Sequence, residues 1–186
     1  MPTFGLIVEG NYDASVLTEL IQRCSVDNID VVSRPCSPKG DLMRKFRGFL
    51  EEFRWVKQGA PVDKALVIRD ADAKYPQALI RAMDDRIADR IYPFPVKFVV
   101  IVRELETWLL ADSEALAKVT ARTAPEHNEP LEGIVDSKAR LKRFLLDAKM
   151  PYTGEVARKI AAATNMERFA YRCPSFRTFR EAVHDC

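Results

Sequence analysis

The chain has 186 residues, 47% hydrophobic and 30% charged, with a net charge of +2; that is the balance of a soluble globular protein with a sizeable core. So small a net charge argues against a protein that binds polyanions through its overall charge, and no apolar run approaches the roughly 18 residues needed to span a bilayer. Two histidines, and four cysteines without a C-x-x-C pair, disfavour histidine-metal nucleases and zinc hydrolases and predict free thiols in a reducing compartment.

The N-terminal stretch has no basic segment, and its apolar run is too short for a signal peptide. A cytoplasmic location is therefore expected. Phe4–Val8 reads as a first strand, ended by the turn Glu9-Gly10-Asn11. Tyr12–Cys24 follows as a helix, with Val16, Leu17, Leu20 and Ile21 on one stripe. Ile29–Arg34 is a second strand, and Pro35–Gly40 a loop. The spacing of Leu42, Phe46, Phe49, Leu50 and Phe53 predicts a helix over residues 41–56. Lys64–Arg69 is the third strand. Pro76 suits a helix start, and that helix is expected to reach about Ile91 with Leu79, Ile80, Met83 and Ile87 buried. Val96–Val102 is the fourth strand.

Alternation of this kind predicts an α/β fold with a mostly parallel four-stranded sheet flanked by helices. After Glu104 the pattern becomes helical. Short helices are expected at 106–110 and at 113–119, the second capped by Asp112 or Ser113. A polar loop over 121–133 precedes further helices at 136–148, 154–163, 166–171 and 175–183. The expected organisation is an α/β core over residues 1–110 and a helical C-terminal extension over 111–186, packed on the core. From Asp136 to Cys186 there are eleven Lys or Arg against six Asp or Glu, a mild basic bias that can face a phosphate backbone or belong to solvated helix surfaces.

Three of the strand-like runs end in acids. Glu9 follows the first strand, Asp70 and Asp72 the third, and Glu104 and Glu106 the fourth. In open parallel sheets ligands sit outside the carboxyl ends of the strands, so these acids are expected to gather at one edge. Carboxylates drawn together repel one another unless a cation neutralises them. Oxygen ligands without histidine or cysteine suit Mg²⁺ or Mn²⁺, and such ions serve phosphoryl transfer. Individually each acid can be a turn or capping residue; together they point to a metal site. There is no G-x-x-x-x-G-K-[ST] or G-x-G-x-x-G motif, and so no recognisable triphosphate cradle.

The segments Ile7-Val-Glu-Gly-Asn-Tyr-Asp13 and Ile68-Arg-Asp-Ala-Asp72 resemble the first and second motifs of TOPRIM domains. Val102-Arg-Glu-Leu-Glu-Thr-Trp-Leu-Leu-Ala-Asp112 and Cys173-Pro-Ser-Phe-Arg-Thr-Phe179 are similar to segments of a group of small stand-alone bacterial TOPRIM proteins, related to the TOPRIM part of OLD-type nucleases. The resemblance implies a TOPRIM-like core in which Glu9 is a metal ligand or general acid/base. It makes Asp70 and Asp72 the metal-binding pair, and Glu104 and Glu106 candidate ligands of a second metal. Asp13 matches a frequent acid of the first motif, close to the metal ligands. The resemblance also implies a place in bacterial anti-phage defence beside an AAA- or ABC-type ATPase. This sequence has no ATPase motif of its own, so such a partner would act in trans.

The leading expectation is a Mg²⁺- or Mn²⁺-dependent nuclease acting on DNA or RNA; the alternative is a non-catalytic effector that binds an ATPase or nucleic acid. A primase-like or nucleotide-directed phosphotransferase ranks third, and the chain is too short for a topoisomerase. Arg69 and Arg103 can hold a phosphate or neutralise the acids, Lys74 can stabilise a transition state, and Lys39 can approach a phosphate. Trp108, Leu109 and Leu110 are expected in the core. The oligomeric state is left open.

Overall fold

Successive residues of a strand point to opposite faces of the sheet. The apolar runs at residues 4–8, 65–68 and 96–102 are apolar at both parities, so they require cover on both sides. The computed structural model describes residues 1–25, 28–36 and 42–184 and shows that arrangement. Strands β1 (Thr3–Val8), β2 (Asp30–Pro35), β3 (Lys64–Asp70) and β4 (Val96–Ile101) form one sheet in the order β2-β1-β3-β4. Every pairing is parallel. Helices α1 (Asn11–Cys24), α2 (Leu42–Glu52) and α3 (Pro76–Ile87) connect them. The chain steps one way from β1 to β2, then back past β1 to β3. Right-handed crossovers in opposite directions place α1 and α2 on opposite faces.

Leu6, Val8, Leu66, Ile68, Val99 and Ile101 face α1, and Ile7, Ala65, Val67 and Val100 face α2 and α3. Gly5 on the second face leaves room that a side chain would fill: a Cβ there would lie 2.3 Å from the Phe53 ring. Its register partner on β3, Ala65, is also small.

Two helices end earlier than expected. α2 stops at Glu52 instead of Val56, because the Arg54 and Trp55 amides bond only three residues back, to Glu51 and Glu52, and close a tighter turn. α3 stops at Ile87 instead of Ile91. Of its four expected core residues only Met83 is fully buried; Leu79, Ile80 and Ile87 are partly covered, since α3 lies over the edge strand β4.

Beyond β4 the chain forms α4 (Leu105–Leu109), α5 (Ser113–Thr120), a 3₁₀ turn at Leu131–Gly133, α6 (Ser137–Asp147), α7 (Gly154–Ala163), α8 (Met166–Arg172) and α9 (Pro174–His184). Asp112 caps α5, accepting from the amides of Glu114 and Ala115 at 3.1 and 3.2 Å. α7 packs along α1, and α9 packs against β4. The buried residues on this face run without a break from Phe4 to Val183. Trp108 is 0% exposed; it meets Phe176 edge-on at 5.1 Å and donates its indole N–H to Ser175 Oγ at 2.9 Å, as a core tryptophan requires. Among the described residues no helix is long and apolar enough to cross a membrane.

Candidate active site

The strand order makes the boundary between β1 and β3 the switch point of the sheet. The connections leaving these strands turn in opposite directions, and a crevice remains at their carboxyl ends. Glu9 follows β1 and Asp70 ends β3. α1 starts directly after the Glu9-Gly10 turn, and its third residue, Asp13, accepts the Gly10 backbone N–H, one half of a capping box. Asp13 is thereby turned into the same crevice. The result is a cavity of about 650 Å³ whose lining includes the carboxylates of Glu9, Asp13, Asp70, Asp72 and Glu104. Arg69, Lys74 and Lys138 bring positive charge to it, and Tyr12 forms part of its wall.

The acids act on one another. Burial, then the charges of Asp13, Glu106, Glu9 and Asp72, raise the Asp70 carboxyl well above its ordinary range. Burial, then the charges of Glu106 and Glu9, raise Asp13 to about 6, against the opposing pull of Lys138 and the Gly10 amide. Arg69 is paired with Glu9, Nη2 to Oε1 at 3.3 Å. It therefore neutralises the acid group, one of the two roles its position allows.

Glu106 sits deeper. Its side chain is held by the chain's own groups: the Tyr152 hydroxyl donates to Oε1 at 2.5 Å, and Lys138 Nζ lies 2.9 Å from the same oxygen. Burial, then the charge and hydrogen bond of Glu106, raise the Tyr152 phenol above its ordinary value. Partial burial works against the charged form of Lys138, yet the hydrogen bond to Glu106 and the charges of Glu106, Asp13 and Asp70 raise its pKa overall. Glu104 lines the cavity, and its Oε2 accepts the Lys138 backbone N–H at 2.9 Å, an acid at the start of α6 where the helix dipole favours it.

The structure thus brings Glu9, Asp13, Asp70, Asp72, Glu104, Arg69 and Lys74 together around one cavity. Glu106 and Arg103 lie just outside its lining. Asp72 and Arg103 both adopt left-handed backbone, φ 51° and 66°, and the Asp72 amide bonds the Arg103 carbonyl at 2.9 Å. The chain therefore curls immediately beyond β3 and β4, in a backbone conformation that Gln58, Ala121 and Lys149 also adopt elsewhere in the fold. Lys39 lies outside the described residues. Lys138, Tyr152 and Tyr12 belong to the site although sequence reasoning did not assign them to it. Lys138 was legible only as part of a helix start, and Tyr152 carried no spacing signal.

An open group of oxygen ligands fits a hard divalent cation. Mg²⁺ takes one or two carboxylates and keeps water in the rest of its shell. Among the described residues no group of three or more His, Cys, Asp or Glu side chains is arranged to hold a metal ion, so a cation here would rest on one or two carboxylates and its own waters. Cys24 and Cys173 are buried thiols pushed up to about 12 by burial, and neither lines the cavity. A second cavity, of about 600 Å³, lies beside His127 and Tyr171. Its arginines are already engaged, Arg168 by Asp112 and Glu114, Arg172 by the carbonyls of Ala111 and His127.

Residues 8–184 match the model of the family described as Domain of unknown function (DUF4276). The chain belongs to this family. The matched span contains every residue of the acidic cavity, together with Glu106 and Tyr152, so the site and the helices that complete it lie within the family's own boundaries. No curated protein and no solved structure matches the chain.

Proposed function

We propose that the protein is a Mg²⁺- or Mn²⁺-dependent phosphodiesterase acting on nucleic acid. The observation that carries this reading is the convergence of Glu9, Asp13, Asp70 and Asp72, from two separate stretches of chain, on one cavity at the β1/β3 switch point. Burial and neighbouring carboxylates raise the pKa of Asp70 and Asp13, and a scaffold has no use for acids held in that way. Asp70 and Asp72 would hold the cation with water in the rest of its shell, and Glu9 and Asp13 would stand beside them. Bound there, it would supply Lewis-acid activation of water and neutralise the acids. Glu9, oriented by Arg69, is placed to exchange a proton with the attacking water or the leaving oxygen. Lys74, exposed at the rim, and Lys138 offer positive charge to the phosphate. The order and spacing of the acidic motifs, which resemble those of TOPRIM nucleases, support the same chemistry. That resemblance alone suggests action in phage defence with an ATPase supplied in trans.

One observation favours a second reading. Glu104 and Glu106 are already engaged by Lys138 and Tyr152, which suits a non-catalytic effector whose acids stay neutralised, and also suits a single cation without a second one held by Glu104 and Glu106.

Cleavage of plasmid DNA and of a structured RNA with Mg²⁺ or Mn²⁺ distinguishes the two readings, with Asp70→Asn and Glu9→Gln as comparisons. Cutting is expected in the wild type, with a loss of at least about a hundredfold in each variant, consistent with removal of an acid–base or electrostatic group. Calorimetry is expected to show Mn²⁺ binding that Asp70→Asn abolishes. An absence of Mn²⁺ binding would sink the hydrolytic reading and leave the effector.

A further inference from the structure

The acidic cavity has an aromatic and basic rim on the side built by the C-terminal helices. Tyr12, at the second position of α1, is 48% exposed and lines the cavity. Its ring stands edge-on to Tyr152, with centroids 5.9 Å apart and planes at 76°. It rests against the start of α7 at Gly154: a Cβ there would meet Tyr12 Cδ1 at 3.1 Å. Glycine therefore allows the ring to be seated where it is. Tyr152 carries two ammonium groups near its ring, Lys138 Nζ at 5.8 Å and Lys142 Nζ at 5.6 Å. These lysines are one turn apart on α6, and Lys142 is exposed.

We propose that this site takes its nucleic acid as a single strand, with a base laid on Tyr12 and the adjoining phosphates guided past Lys142 and Lys138 toward Asp70. The inference rests on the phosphodiesterase reading and names its substrate class. Two features exclude paired nucleic acid as the preferred ligand. Within a duplex the bases are paired and stacked on both sides, so only a terminal pair has a face free to cover Tyr12, whereas aromatic platforms beside lysines bind single strands without regard to sequence. Moreover, the carboxylates are recessed in a cavity of about 650 Å³. That volume lies in the range of small-ligand pockets, roughly 300–1,000 Å³, and admits a flexible strand or an unpaired end more readily than a double helix. The small net charge of +2 agrees: with little general attraction for phosphate, affinity has to come from stacking and a few placed lysines.

The test uses the full chain carrying Asp70→Asn, which prevents turnover, and follows the fluorescence anisotropy of a labelled oligo-dT strand and of a hairpin duplex in Mg²⁺. The strand is expected to bind about tenfold or more tighter than the duplex. Tyr12→Ala should weaken strand binding about tenfold, and Tyr12→Phe should leave it unchanged, because the ring is retained. Lys142→Ala should reduce the salt dependence of binding by about one phosphate contact. Circular dichroism confirms that each variant is folded. Equal or tighter duplex binding, or strand binding indifferent to Tyr12→Ala, overturns the inference, and Asp70-dependent cutting of duplex would then leave the phosphodiesterase reading in place. A strand held through Tyr12 but never cut by the wild type with Mg²⁺ or Mn²⁺ overturns the phosphodiesterase reading alone.

Discussion

The two faces of the sheet are covered very differently. On one, α1 and the whole C-terminal half of the chain bury Leu6, Val8, Leu66, Ile68 and Ile101 under a thick layer that continues to Val183. On the other, α2 and α3 cover Ile7, Val67 and Val100 with help from Phe53, Val62 and Phe94, and much of α3 stays half-exposed. The cavity draws its extra groups from the thick side: Asp13 and Tyr12 from α1, Lys138 from α6, with Tyr152 just before α7 behind them. The thin side contributes Met43. The C-terminal helices are thus part of the site as well as part of the core. They both set the rigidity of the strand ends and deliver the charge that steadies the acids.

The strongest way to break that comparison is to cut into the thick layer. Trp108→Ala removes the largest fully buried side chain, along with its contacts to Phe176 and Phe179. It should destabilise the protein by about 3–5 kcal/mol in urea denaturation. Met83→Ala, the matching truncation on the thin face, should fall near the lower end of the range for such residues, about 2 kcal/mol, since its half-exposed neighbours can close over the gap. Equal losses at the two positions would mean that the thick layer does not dominate stability.

A smaller effect sharpens the comparison at the site itself. Lys138→Met removes the countercharge from Glu106, which is only 3% exposed. Tyr152 remains as one hydrogen-bond donor, so the expected loss is about 1–3 kcal/mol, measured by denaturation at neutral pH. Glu106→Gln in the same background should recover most of it, because the buried charge is then gone. A loss that Glu106→Gln does not reverse would show that Lys138 acts through packing and not through Glu106.

The sheet was legible because its signals are local. Both-parity apolar runs at 4–8, 65–68 and 96–102 read as covered strands, and Pro76 and Asp112 marked helix starts. The acids Glu9, Asp70 and Asp72 could be placed at one edge, because parallel strands carry their ends to the same side. The surroundings of Glu106 were not legible. Whether an acid after a strand meets solvent, a cation or a tyrosine depends on where a segment dozens of residues away packs, and no periodicity in Pro151-Tyr152-Thr153 announces a partner for Glu106. The same holds for Met83 against Leu79 and Ile80. Helical spacing shows which side chains share a stripe, while the depth of burial depends on α3 lying over an edge strand.

The smallest expected effect is one of pH, and it bears on the acids without their cation. Asp13 keeps its proton to about 6 in the folded chain, against 3.8 for the ordinary carboxyl, and Asp70 is raised as well. Between those values the folded state binds more protons than the unfolded one. The stability Asp13 contributes is therefore fully present below about 3.8 and is lost as pH rises through about 6, and Asp70 acts in the same direction. In EDTA, thermal unfolding should show this contribution declining from pH 4 to pH 7, and Asp70→Asn should flatten the decline by removing one of the two raised groups. Mn²⁺ favours the charged carboxylates, so it should raise the melting temperature at pH 7 and do so much less at pH 5. If wild type and Asp70→Asn keep the same pH slope in EDTA, the acids do not repel one another in solution, and the electrostatic argument for a cation between them loses its footing.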